Sequence, residues 1–334
     1  MIQRRDFITL LGGAATAWPL AARAQQPAGG MPRLAVGIAG SETDREVQRR
    51  LAAFRAALAK LGWVEGRNIR IDYAWGLDAL TGKYISPAHL AAELLSLAPN
   101  VILAQATPDV KALLQETRTI PIVFAAAVDP LATGLLDSLA HPGGNVTGVA
   151  AYDYPIGGKW LGMLKEVAPG IKRVLVILPT DVPPLLPFLR AIEAAAPALG
   201  VQIVAADSTT DEIERAINTF AQEPNGGLIV LFDSESLNNR DLIIGLAARH
   251  RLPAIYANRT FAAGGGLMSY DTDFVNIFER AASYVDRILR GEKPGDLPVQ
   301  APTKFDLIIN LKTAKALGLN IPLPLLGLAQ EVIE

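Results

Sequence analysis

The 334-residue chain contains no cysteine and only three histidines, His89, His141 and His250. The missing thiols exclude disulfides, thiolate-metal sites, thiol nucleophiles and lipid attached at cysteine. Three scattered histidines leave little for a metal centre, and neither a metal nor a cofactor is expected. Charge is also sparse: Asp, Glu, Lys and Arg make up 19% of the residues, below the ~25% usual in soluble proteins. With 31 basic against 33 acidic residues the formal charge is −2, which argues against a nucleic-acid partner. Long apolar runs are absent from the body of the chain. Val101 to Ala104 and Leu228 to Phe232 have the length of buried strands. Enzyme signatures are missing too: Gly37-Ile38-Ala39-Gly40 lacks the third glycine of a dinucleotide loop, and neither a Gly-Lys-Ser/Thr phosphate loop nor a Gly-x-Ser-x-Gly elbow occurs.

What is present starts with the first residues. Arg4-Arg5-Asp6-Phe7-Ile8 precedes an apolar run from Leu10 to Trp18, and Ala22-Arg23-Ala24 follows before Gln25. A basic start, a short hydrophobic stretch and a small-x-small site describe an export signal over residues 1–24, cut after Ala24. Its paired arginines resemble the twin-arginine type, although Gln3 and Thr9 stand where Ser or Thr and Lys are usual. The run is shorter than the ~20 residues a membrane anchor needs. Loss of Arg4, Arg5 and Arg23 together with Asp6 moves the formal charge from −2 to −4.

Half of the residues are hydrophobic, which excludes disorder, and the length suits two domains at roughly 150 residues each. From Pro32 onward, strand and helix patterns alternate. Arg33 to Ala39 reads as a strand, Asp44 to Leu61 as a helix with Leu51, Phe54, Leu58 and Leu61 on one face, and Asn68 to Trp75 as a second strand. The pattern continues through strands at Val101–Ala104 and Ile122–Ala125, then restarts at Arg173–Leu178. In that second half follow a helix at 185–199, strands at 201–206 and 228–232, and a helix at 211–222 capped by Thr210 or Asp211. Such alternation predicts parallel βαβ units with helices on both faces. The fold class is therefore α/β, with two Rossmann-like lobes, each built on a parallel sheet. Turn-rich segments at 141–148, 264–266 and 291–302 predict three crossings between the lobes, hence a three-segment hinge. Lobe 1 is assigned residues 32–150 plus 270–300, and lobe 2 residues 151–269 plus 301–334.

Ligands of open parallel sheets bind beyond the carboxyl ends of the strands. In lobe 1 those ends hold Ser41, Thr107 and Asp129; in lobe 2 they hold Asp181 and Asp233. Tyr152 and Tyr270 lie near the crossings. Hydroxyls and helix N-terminal amides suit an anionic group, and carboxylates a cationic one. Each has a plainer reading. Thr107-Pro108-Asp109 and Asp233-Ser234-Glu235 can serve as helix caps, Asp129-Pro130 as a turn, and the tyrosines as hinge packing.

Several stretches carry a family resemblance: Ile120-Pro121-Ile122-Val123-Phe124, Asp129-Pro130, Pro142-Gly143-Gly144-Asn145-Val146-Thr147-Gly148, Gly265-Gly266-Leu267-Met268-Ser269-Tyr270, and the tail from Pro302 to Leu319 with its Asn310-Leu311-Lys312-Thr313-Ala314. Together they resemble the ABC-transporter substrate-binding protein family that includes tryptophan/tyrosine-type binding proteins. That resemblance implies a type I periplasmic-binding-protein fold closing over a small molecule, an amino acid or aromatic compound, and delivering it to an ABC permease in the inner membrane. It places Ser41, Thr107, Asp129, Tyr152, Asp181, Asp233 and Tyr270 in the cleft. Ser41 and Thr107 would take a carboxylate, Asp233 or Asp129 an ammonium, and the tyrosines an apolar side chain. It further implies a monomeric, non-enzymatic protein, free in the periplasm because no cysteine is available for lipid. A ligand-sensing subunit of a signalling system, or a secreted α/β enzyme, are the alternatives.

Overall fold

The computed structural model describes residues 30–334 apart from 82, 153, 181, 183 and 184. The expected export signal and Asp181 lie outside the described residues.

The first half builds β1 (Arg33–Ile38), α1 (Arg45–Lys60), β2 (Arg70–Trp75), α2 (Pro87–Ser96), β3 (Val101–Gln105), α3 (Thr107–Glu116), β4 (Ile122–Val128) and β5 (Val146–Tyr152). Helix α1 starts where the Asp44 carboxylate accepts from the amides of Glu46 and Val47, at 2.8 and 3.2 Å. It buries Val47, Leu51, Phe54 and Leu58, one stripe at helical spacing. All five strands are parallel, in the order β2-β1-β3-β4-β5. Every strand thus sends its carboxyl end to the same edge.

The second half adds α4 (Ile156–Val167), β6 (Arg173–Ile177), α5 (Leu186–Leu199), β7 (Gln202–Ala206), α6 (Thr210–Phe220), β8 (Gly226–Val230), α7 (Ser234–Asn238), α8 (Arg240–Arg249), β9 (Ala254–Tyr256), α9 (Arg259–Ala263), β10 (Met268–Thr272), α10 (Phe274–Leu289), β11 (Phe305–Asn310), α11 (Leu311–Leu317), α12 (Leu323–Leu328) and β12 (Glu331–Ile333). Its seven-stranded sheet runs β12-β11-β10-β9-β8-β6-β7, and β11 lies antiparallel to β10. The antiparallel join arises because the chain leaves this sheet after β10 and re-enters it from the other lobe. Helix α6 begins one residue before the expected caps: Thr209 is its N-cap and makes no side-chain bond.

Two lobes and three crossings result. The chain passes to the second lobe after β5, returns after β10 to lay α10 against α1, β4 and β5, and passes over again before β11. Trp63 Nε1 donates to Asp286 at 2.8 Å, tying α10 to the first lobe. The crossings are laced together: Thr272 Oγ1 donates to Ala151 O at 2.6 Å, Thr147 Oγ1 to Leu297 O at 2.7 Å, and Ala150 N to Gln300 O at 2.9 Å.

The Pro-Gly-Gly-Asn-Val-Thr-Gly stretch has a physical account here. Asn145 Nδ2 donates to Ile120 O at 2.7 Å, so its side chain closes the loop that opens β4. A Cβ on Gly148 would stand 2.1 Å from Phe124 O, which leaves only glycine at that point of the β4–β5 pair.

Candidate functional site: the interlobe cleft

The strand ends of the two lobes supply the cleft. Ser41 follows β1, Thr107 opens α3 after β3, Asp129 follows β4 and Tyr152 ends β5, so four of the predicted residues share the carboxyl edge of the first sheet. Asp233 follows β8 in the second sheet. Tyr270 lies inside β10, paired with Leu307, rather than at a strand end.

Most of these side chains already have partners. Ser41 Oγ is 3.2 Å from Thr43 Oγ1. The Thr107 hydroxyl accepts from Val128 N at 3.0 Å, holding the end of β4 to the start of α3. Ala106, just before it, has φ +67°, so the chain turns sharply between Gln105 and the helix. The Asp129 carboxylate accepts from Ala132 N at 3.0 Å, the turn reading of Asp129-Pro130. The Tyr152 hydroxyl donates to the Asp271 carboxylate. The Tyr270 ring stacks on Phe305 with centroids 5.4 Å apart, and Trp160 Nε1 donates to its carbonyl at 2.8 Å.

Asp233 is the helix cap that its plainer reading predicts. One oxygen caps α7, accepting from the amides of Glu235 and Ser236 at 2.8 and 3.0 Å and from Ser208 Oγ at 3.2 Å. The other oxygen, Oδ2, is buried without a partner. Gln105 Oε1 and Asp109 Oδ2 share that condition at the β3–α3 turn, and burial raises the Asp109 pKa from 3.8 to about 6. Buried acceptors without donors are costly, and they cluster where the strands end.

Between the lobes, a cavity of about 120 Å³ is walled by Asp44, Arg49, Arg50 and Phe274 from one side and by Phe232, Asn258 and Thr260 from the other, with Asp271 at the crossing. None of the six described candidates lines it. Arg50 is the group the sequence reading missed. It sits three residues after Val47 and four before Phe54, half-buried on the flank of the stripe that α1 buries. A charge at that helical spacing from the stripe was the available signal. Asp271 is fully enclosed, and burial raises its pKa to about 7, against the lowering effects of Tyr152, the Thr272 amide and Arg50. Among the described residues no group of three or more His, Cys, Asp or Glu is placed to hold a metal ion. No helix among them is long and apolar enough to cross a membrane.

Two α/β lobes, three laced crossings and a cavity between the lobes define a type I periplasmic-binding-protein fold, a class that encloses small ligands between its lobes. The chain belongs to the ABC transporter substrate binding protein family, whose profile matches residues 45–333. Among curated relatives, a tyrosine-binding protein of Clostridioides difficile is 26% identical over 289 residues, spanning 85% of this chain and 81% of the relative. Among solved structures, a conserved domain protein from Vibrio cholerae is 26% identical with a TM-score of 0.78, covering 91% of this chain and all of that one. An ABC domain from Streptococcus pneumoniae, solved with L-Trp, has the same TM-score at 21% identity, covering 91% of this chain and 100% of that one.

Proposed function

We propose that this protein is the solute-capturing component of an ABC importer, exported to the periplasm as a soluble monomer, which binds an amino acid of aromatic type between its lobes and delivers it to an inner-membrane permease. The observation that carries the reading is the cavity shared by both lobes, in which Arg50 from α1 faces Asn258 and Thr260 at the start of α9 in the second lobe. A ligand that touches both walls favours the closed arrangement over the open one, because only closure satisfies both sets of contacts. The relatives that bind tyrosine and tryptophan support the ligand class. In this reading Ser41, Thr107, Asp129 and Asp233, with Asp181, furnish polar contacts along the facing strand ends. Asp233 Oδ2, buried and unpartnered, suits a ligand ammonium. Tyr152 and Tyr270 back the hinge side.

The test is a thermal-shift screen of the chain from Gln25 onward against L-tyrosine, L-tryptophan and other amino acids, followed by small-angle scattering. A ligand at 100 times its Kd adds about 2.7 kcal/mol of stability. The expected result is a saturable shift with compaction and an unchanged ligand. No shift with any amino acid, or product formed from one, overturns the reading.

A further inference from the structure

Arg50 stands apart from the other arginines that face the cavity. Arg259 pairs with Glu331 at 3.0 Å, and Arg49 with Glu46 at 3.6 Å. Arg50 makes no hydrogen bond and no ion pair within 4 Å with any described residue. Its guanidinium lies over the Phe274 ring, 4.6 Å from the centroid, and borders the cavity. Burial pulls its pKa below the ordinary arginine value, the attraction of Asp271 and more distant acids offsetting this only in part. A guanidinium carries five donors, and taking them from water without giving them acceptors is costly.

Nearby carboxylates do not fill that role. Asp271 Oδ1 accepts from the Tyr152 hydroxyl and from Thr272 N, the latter at 2.7 Å, and no described carboxylate oxygen lies within 4 Å of the Arg50 guanidinium. Asp44 caps α1, and Asp273 caps α10 by accepting from Asn276 N at 2.9 Å. The guanidinium is therefore held by the Phe274 ring and the longer-range attraction of Asp271, Glu46 and Asp44, with no hydrogen-bond acceptor among the described residues.

We infer that Arg50 is the anchor for the ligand's carboxylate, binding it at the hinge end of the cleft between the Phe274 ring and the Asn258–Thr260 wall. This rests on the reading of the cleft as the ligand site and adds to it a specificity: the ligand must be a carboxylate. About 120 Å³ is below the 300–1,000 Å³ of a complete ligand pocket, so this part of the cleft takes the head group while the body of the ligand extends along the strand ends. Phe274 fixes the plane of the guanidinium, which pre-organises its two-pronged donation to a carboxylate. Asn258 closes the opposite side from the second lobe; its Oδ1 is already taken by Thr260 N and Oγ1, which leaves its amide NH₂ free to donate. Neutralising one buried charge with the ligand's own would also couple binding to closure.

The test measures calorimetric affinity of the wild type, Arg50→Gln, Arg50→Lys and Arg45→Gln for three probe sets. These are L-tyrosine and L-tryptophan, their deaminated analogues 3-(4-hydroxyphenyl)propanoate and indole-3-propanoate, and the decarboxylated tyramine and tryptamine. The expected result is binding by at least one carboxylate, none by the amines, and a loss of about 10- to 100-fold in Arg50→Gln, the range for a hydrogen bond to a charged group. Arg50→Lys should fall between, and Arg45→Gln, an exposed arginine of the same helix outside the cavity, should match the wild type. Unliganded melting temperatures and near-ultraviolet circular dichroism identify any variant that has not folded, in which case Arg50→Lys supplies the comparison. Carboxylate binding that survives in both Arg50 variants, amines that bind as tightly as the acids, or no carboxylate bound by the wild type would each overturn the inference. Amino acids bound equally by all variants would leave the ligand class standing and remove only Arg50. Deaminated acids bound through Arg50 without amino acids would do the reverse.

Discussion

The Tyr152 hydroxyl donates to the Asp271 carboxylate, and the two residues end the strands from which the chain makes its first and second crossings between lobes. Tyr152 also packs edge-on against Phe188 of the second lobe and Phe274 of the first. The bond therefore joins the two crossings at the point where any closing motion must bend.

Replacing that tyrosine by phenylalanine removes the donor and leaves the ring packing in place. The Asp271 oxygen keeps only the Thr272 amide, so Tyr152→Phe should cost about 1–3 kcal/mol in urea unfolding with an unchanged slope. A loss below about 0.3 kcal/mol would mean that the hydroxyl bond adds nothing to the hinge.

Stability should fall as pH rises from about 4 to 7. The pKa of Asp271 is raised from 3.8 to about 7 and that of Asp109 to about 6, both by burial, and Asp306 moves in the same direction. In that window the native state holds protons that the unfolded chain has released, so each rise in pH favours unfolding, by at most about 1.4 kcal/mol per unit for each group. Asp72 and Asp207 have lowered values because of their hydrogen bonds, and their contribution is lost only below about pH 4. Of the groups around Asp271, Tyr152 and Arg50 keep their charge state across the window, while Asp306 gains negative charge as the pH rises. Urea midpoints at pH 4.5, 6 and 7.5 should show the decline, and Asp271→Asn should flatten it. A variant whose midpoints run parallel to the wild type would exclude Asp271 as the cause.

Asp233 has a capping oxygen and a free one, and these separate by substitution. Asn retains the acceptor that caps α7, so Asp233→Asn should change stability by less than about 0.5 kcal/mol, whereas Asp233→Ala should lose about 1 kcal/mol. If Oδ2 receives the ligand ammonium, both variants should weaken binding of L-tyrosine or L-tryptophan by at least about tenfold in calorimetry, the scale of a lost charge-assisted bond. Full affinity in Asp233→Asn would leave only the cap.

Two glycines should respond in opposite directions to alanine. At Gly148 the new methyl would stand 2.1 Å from Phe124 O, and β4 would have to move from β5; a loss of at least about 3 kcal/mol or failure to fold is expected. At Gly162, inside α4, nothing lies within 4 Å of an added Cβ, and Gly162→Ala should gain about 0.5–1 kcal/mol. Melting curves of the two proteins would decide both.

Much of this architecture was legible in the letters. Alternating strand and helix periods around Val36, Phe54, Leu103 and Val123 give βαβ units because a parallel strand covered on both faces must be apolar throughout, and its crossover helix must carry a stripe. The repeated pattern from Arg173 onward placed a second sheet, whereas the first two crossings lie one strand beyond the glycine-rich turns at 141–148 and 264–266, after β5 and β10. The antiparallel β11 was not legible, since strand direction depends on the side from which the chain re-enters.

The cleft divides along the same line. The strand-end loops holding Ser41, Thr107, Asp129 and Asp233 followed from chain order alone, because all parallel strands of a sheet end at one edge. Which side chains remain free there did not follow: the Thr107 hydroxyl is taken by Val128, the Tyr152 hydroxyl by Asp271, and the Tyr270 ring by Phe305. Each of those partners lies at least 20 residues away in the chain. Arg50 shows the limit most clearly. Its place on the flank of the apolar stripe of α1 was visible in the sequence, but its freedom from any ion pair and its seat between Phe274 and the second lobe arise only when distant segments pack together.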